Sequence, residues 1–109
     1  MDKALQFSYH DRDYTLEFTR DSVRTMERQG FNANELMVKP MTMLPDLFAG
    51  AFIAHHPYTK RKLIDEIFEH IGNKQELIGK LVEMYNEPLA TLMEDKEGDE
   101  GNVGWTATF

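Results

Sequence analysis

The side chains in this chain that could bind a metal, take a proton or attack a carbon are four histidines, two serines and a large set of carboxylates. His55 and His56 are adjacent, and neighbours on a helix point about 100° apart, so the two cannot easily hold one ion together. His70 lies near Asp65, Glu66 and Glu69, yet no pair presents histidine with a second ligand on one face in the zinc or di-iron pattern. These three histidines sit where helices are expected to end, positions that the helix dipole favours in any case. Metal catalysis is therefore rejected. Ser8 and Ser22 are the serines, and neither lies in a glycine-flanked elbow. The seven glycines are dispersed, so no loop of them could cradle a phosphate. No catalytic residue and no cofactor is expected, and the enzyme reading is poor.

The groups that remain suit contact with another molecule. Lys60, Arg61 and Lys62 form the one basic cluster, at the start of a helix where cations oppose the dipole at about 0.3–1 kcal/mol each. Pairing of Arg61 with Asp65 and of Lys62 with Glu66, one helical turn on, is the preferred account. Contact with an acidic partner or a phosphate is the alternative. Met37, Met41 and Met43 cluster in an irregular stretch, where methionine fills gaps in a core or adapts to varied apolar partners. Trp105 and Phe109 stand in the alternating tail VGWTATF. These eight residues are the candidate partner contacts.

The elements that must position them are centred on 44–54, LPDLFAGAFIA, in which 47–54 pass without one polar side chain. A helix apolar all round must be enclosed on most sides, and this one is far shorter than the roughly 20 residues a bilayer requires. It is expected to be the central helix, entered at Thr42 or Met43 with Pro45 in its first turn, and stopped at His55-His56 by Pro57. Ahead of it, Leu5, Phe7 and Tyr9 alternate with polar residues, as do Tyr14, Leu16 and Phe18, around a turn at 10–13. Pairing Tyr9 with Tyr14, Phe7 with Leu16 and Leu5 with Phe18 gives a β-hairpin with one apolar face. Asp21 is expected to cap a short helix ending near Gly30, with Val23 and Met26 facing inward. A short helical turn over 34–38 precedes Lys39-Pro40.

Thr59 begins a helix stopped by Gly72. Asn73 and Glu76 make a capping-box start to the last helix, whose stripe runs Leu77, Ile78, Leu81, Val82, Tyr85, Leu89 and Leu92. Pro88 is expected to kink or restart it, with Asn86 as the new cap. The fold class is α+β: an N-terminal hairpin, with the C-terminal strand as a candidate third strand, packed on four or five helices. Residues 1–93 form one domain, 94–102 an acidic linker and 103–109 the terminal strand.

Composition narrows the classes. The chain has 109 residues, enough for one core, and no cysteine, which excludes disulfides and thiolate chemistry. Net charge is −7, of which Glu94 to Glu100, with five acids and one lysine, contributes −4. An acidic chain repels phosphate backbones, so no nucleic-acid partner is expected. The first ten residues lack the apolar core of a secretory leader.

The order of these features resembles the small tail assembly chaperones of long-tailed phages and prophages of Gram-positive bacteria. The likeness rests on Tyr14-Thr15-Leu16-Glu17-Phe18 leading into a charged helix that ends in Gly30-Phe31, on Lys39-Pro40, and on LPDLFAGAF with His56-Pro57 behind it. ELIGKLVEMYNEPLATL, the acidic linker and the tryptophan-bearing tail complete it. The resemblance implies a non-enzymatic chaperone that binds the tape measure protein and keeps it soluble until tail tube subunits polymerise around it. The expected setting is the host bacterial cytoplasm, with no membrane partner. The tail tube protein is a second candidate partner, and self-association into a homo-oligomer is a further expectation. The alternative is a small head–tail joining or tail component retained in the virion.

Overall fold

The computed structural model describes residues 3–94 and 103–109; the expected acidic linker falls, from 95 onward, outside the described residues. Strands β1 (Ala4–Tyr9) and β2 (Arg12–Glu17) pair antiparallel, joined by His10 and Asp11 alone. Those two residues have φ of 49° and 64°, the left-handed pair that a two-residue hairpin turn needs to match the strand twist. The turn is thus two residues and not the four expected, and the register moves with it. Tyr9 faces Arg12, Phe7 faces Tyr14 and Leu5 faces Leu16. Because the shift is an even number of residues, every apolar side chain stays on its face. Tyr14, Leu16 and Phe18 are buried there, while Leu5, Phe7 and Tyr9 are half-buried.

Helix α1 (Arg20–Arg28) is capped by Thr19, two residues ahead of where Asp21 would act. The Thr19 hydroxyl accepts from the Ser22 amide at 3.0 Å, and the Ser22 hydroxyl accepts from the Thr19 amide at 2.8 Å. This reciprocal cap satisfies a serine that is buried in the core. The helix ends as Gly30 requires, at φ 99°. The Phe31 amide donates back to the Met26 carbonyl at 2.9 Å, which turns Phe31 into the core beside Met26. A 3-10 turn over Ala33–Glu35, capped by Asn32, follows.

Helix α2 (Pro40–Gly50) starts earlier than expected, with Pro40 first, where a missing amide costs nothing, and Pro45 in its interior. It also stops earlier, at Gly50 and not at His55-His56. Past Gly50 the ladder tightens, with the Phe52 amide donating to Ala49 and the Ile53 amide to Gly50. The Ala51 carbonyl, which a longer helix would give to residue 55, accepts instead from the Glu17 amide of β2 at 3.1 Å. Residues 51–55 then form tight turns that still bury Phe52 at 1% exposure, next to Phe48 at 0%.

Helices α3 (Arg61–His70) and α4 (Lys74–Met93) complete the domain. Asn73 adopts φ 52° and its side-chain amide bonds the Glu76 carboxylate, so the expected capping box through the backbone does not form. Helix α4 runs through Pro88, whose ring is buried, and no new helix starts at Asn86. Residues 103–109 carry no regular structure and lie exposed, so they do not add a strand to their own hairpin. No helix among the described residues is long and apolar enough to cross a membrane.

The core is aromatic. The Phe52 ring lies 5.2 Å from Phe48, 5.7 Å from Tyr14 and 6.4 Å from Phe7, edge to face in each case. Such pairs contribute about 0.5–1.5 kcal/mol beyond their buried area. A second set forms where Tyr85 of α4 meets Phe18 at 5.5 Å and Phe31 at 5.4 Å. Gly50 lets α1 approach α2, because a Cβ there would fall 2.4 Å from the Met26 sulfur.

The histidine pair finds its role in this packing. The Thr15 amide donates to His56 Nε2 at 3.0 Å, and His55 Nε2 lies 2.6 Å from the Glu17 carboxylate. With the Ala51 carbonyl, His56 covers the outer edge of β2 at Thr15 and Glu17. Burial first, then the charges of His55 and Arg12, lowers the His56 pKa from its ordinary value, consistent with a neutral ring whose Nε2 must accept.

Two outcomes follow from this arrangement. A depressed histidine pKa means that the unfolded chain binds the proton more readily. The His56 contribution is therefore fully present above about pH 6.5, the ordinary histidine value, and is lost as pH falls through the lower folded value. Thermal melting should drop between neutral and mildly acidic pH, and His56→Gln should flatten that dependence; an unchanged slope would contradict the role assigned to the ring. Gly50→Ala should destabilise by about 1–3 kcal/mol through overpacking against Met26, read in a denaturant melt, and a more stable variant would show that the contact is loose.

Candidate partner-binding surface

The methionine cluster divides. Met37 and Met41 are 88% and 91% exposed, whereas Met43 is 7% exposed and belongs to the core. Residues two apart on a helix point to opposite sides, so Met41 and Met43 of α2 cannot share a surface. Met43 is therefore withdrawn from the candidate contacts. Val38, beside Met37, is exposed as well.

The basic cluster also divides. Arg61 Nε donates to Asp65 at 2.9 Å and its Nη2 donates to Asp46 of α2 at 2.8 Å, so the guanidinium ties α3 to α2. Burial would lower the Arg61 pKa, but the hydrogen bonds to Asp65 and Asp46 outweigh it and hold the charge. Lys60 and Lys62 stay exposed. The expected Lys62–Glu66 pair is not among the ion pairs of the described residues, and Glu66 instead accepts from the Tyr9 hydroxyl at 2.7 Å. Met41 and Arg61 do come together, on an open groove of about 530 Å³ between α2 and α3. A depression of about 340 Å³ on the other side of Asp46 and Arg61 reaches Gly50 and Phe31. Asp46, Arg61 and Asp65 are spent on each other there, which leaves the Glu69 carboxylate as the further charge on the groove between α2 and α3. Among the described residues no three His, Asp or Glu side chains gather as a metal would need.

One apolar surface was missed by the sequence reading. Val23 of α1 and Tyr85, Pro88, Leu89 and Leu92 of α4 line a cleft of about 130 Å³, rimmed by Arg20, Arg24 and Glu27. Leu89, Leu92 and Met93 remain more than half exposed beside it. The signal was present in the element lengths. At 1.5 Å per residue the nine residues of α1 span about 13 Å and the twenty of α4 about 30 Å, so α1 cannot cover the whole stripe. Burial, and then the Glu27 carboxylate, raises the Tyr85 pKa, so its phenol is a neutral lip to the cleft. Val103, Trp105 and Phe109 in the tail are also exposed, Trp105 at 83%. The structure thus brings Met41 near Arg61 and leaves Trp105 and Phe109 apart on the tail.

The chain belongs to the family described as Domain of unknown function (DUF5055), whose model matches residues 1–109. No curated protein and no solved structure matches it.

If Arg61 is a tie between α2 and α3, Arg61→Ala should lower stability by up to about 1 kcal/mol, the range for partly exposed ion pairs. Lys60→Ala and Lys62→Ala should leave melting unchanged. The three melts together check this, and an equal loss from either lysine would contradict it.

Proposed function

We propose that this chain is a non-enzymatic assembly chaperone that holds the tape measure protein of a phage tail in the host bacterial cytoplasm until tail tube subunits close around it. The observation that carries the reading is the uncovered apolar cleft between α1 and the end of α4, continued by Leu89, Leu92 and Met93. An amphipathic helix presents apolar side chains at i, i+3, i+4 and i+7, and a groove of this kind takes such a stripe. A tape measure, long and helical, is a succession of those stripes. Methionines at 37, 41 and 93 add side chains that repack around varied apolar shapes. The net charge of −7 keeps the resulting complexes apart from one another. The resemblance to tail assembly chaperones supplies the identity of the partner, and the surface supports it by its chemistry.

Co-expression with the tape measure protein of the same genome is the test. The parent chain should move that partner from the pellet to the soluble fraction. The double variant Leu89→Asp, Leu92→Asp should fail to do so while melting close to the parent, since side chains already exposed contribute little to stability. A parent without effect, or a variant as effective as the parent, would overturn the reading.

A further inference from the structure

The two edges of the hairpin are treated differently. In this register the pairs flanking the two-residue turn bond each other, so Leu5, Phe7 and Tyr9 direct their backbone groups toward β2. The amides and carbonyls of Ala4, Gln6 and Ser8 must then point the other way. Of the corresponding outward amides of β2, at Asp13, Thr15 and Glu17, the last two are taken by the His56 ring and the Ala51 carbonyl. Those of β1 have no backbone partner among the described residues. Burial falls off in the same direction, from buried Tyr14, Leu16 and Phe18 to half-buried Leu5, Phe7 and Tyr9. The sheet is thus unfinished on its β1 side, in hydrogen bonding and in apolar cover alike.

The tail has what that side lacks. Val103, Trp105, Ala107 and Phe109 alternate with Gly104, Thr106 and Thr108. Laid along β1 as a strand, its apolar set would extend the face of Leu5, Phe7 and Tyr9, and its threonines would join Gln6 and Ser8 on the polar face. The seven tail residues match the six of β1. Yet in the single chain the tail has no regular structure and Trp105 stands in solvent.

We propose that residues 103–109 of one copy add as a third strand to the open edge of β1 in a second copy, the two chains exchanging tails reciprocally. Reciprocal exchange uses the same patch on both chains and so closes as a two-fold pair. Lys3 lies 3.2 Å from Glu83 and 3.6 Å from Glu87, which sets the start of β1 beside the middle of α4. From the end of that helix, the nine residues 94–102 can span up to about 30 Å, enough to cross to a neighbour. An open strand edge is a ready template for another chain, and a tethered tail of matching pattern fills it specifically. The exchange stands independently of the identity of any other partner.

Sedimentation of the full chain over a dilution series, with Trp105 emission recorded in parallel, tests the proposal. At high dilution the chain should be a monomer with solvent-exposed emission. On concentration the mass should double and the emission shift to the blue. A chain ending at Asn102 and the full-length variant Trp105→Ser should both stay monomeric, and neither change touches the packed core. In the dimer the Gln6 and Ser8 amides should be protected from hydrogen exchange and should lose that protection in the shortened chain, where Leu5 and Phe7 keep theirs. Blue emission from a monomer at every dilution would place the tail on its own chain and overturn the exchange. A monomer with exposed emission at every concentration would overturn it as well. So would a dimer that survives the shortening or leaves Gln6 and Ser8 unprotected, since another surface would then make it.

Discussion

The Glu17 amide bonds the Ala51 carbonyl, and much of the structure is arranged around that contact. A hairpin of two strands has little stability alone and leaves one row of amides open on each side. The Ala51 carbonyl stands just past the end of α2 at Gly50, at the head of the turns that hold Phe52 under the hairpin. Phe52 in turn gathers Phe48, Tyr14 and Phe7. Four residues farther along the chain, His56 meets the next open amide of β2. One short segment thereby seals a strand edge and fills the centre of the core. Its composition, apolar up to a histidine pair and then proline, is what both tasks require.

Sealing one edge of the hairpin leaves the apolar resources of the chain unevenly spent. The side chains around Phe52 are covered, whereas those at the far end of α4, in the stretch before α2 and on the tail are not. Charge compensates: acids outnumber bases, 19 to 12, and Arg61, the most embedded cation of the basic cluster, is held by Asp46 and Asp65. What the surface offers a partner is therefore apolar contact on an acidic body. Under the proposed function, that combination would serve to hold and release an apolar helix.

The apolar run 47–54 announced the centre of the core, because no other placement tolerates eight such residues in a small domain. The hairpin face was legible as well, since strand parity survives any even shift of register. The register itself was not, for His10-Asp11 lacks the glycine that usually marks a two-residue turn. The end of α2 was hidden because the group that takes the Ala51 carbonyl, just past it, lies 34 positions earlier in the sequence, at Glu17. The methionines were legible as a cluster but not as a divided one, because Met41 and Met43 separate only once the helix is known to start at Pro40. In α4 the stripe gave the period of the buried face and said nothing of how much of it a nine-residue neighbour could cover. The cleft at Leu89 and Leu92 is the consequence, and it is where the functional reading now rests.

That reading requires the protein to act during assembly and then leave. Quantitative mass spectrometry of assembling tails and of finished, purified particles from the same infected cells measures this directly. The account predicts that the chain accompanies the tape measure protein in the assembling fraction and is absent from the finished particle. A fixed copy number in the finished particle would contradict it and would make the protein a structural component.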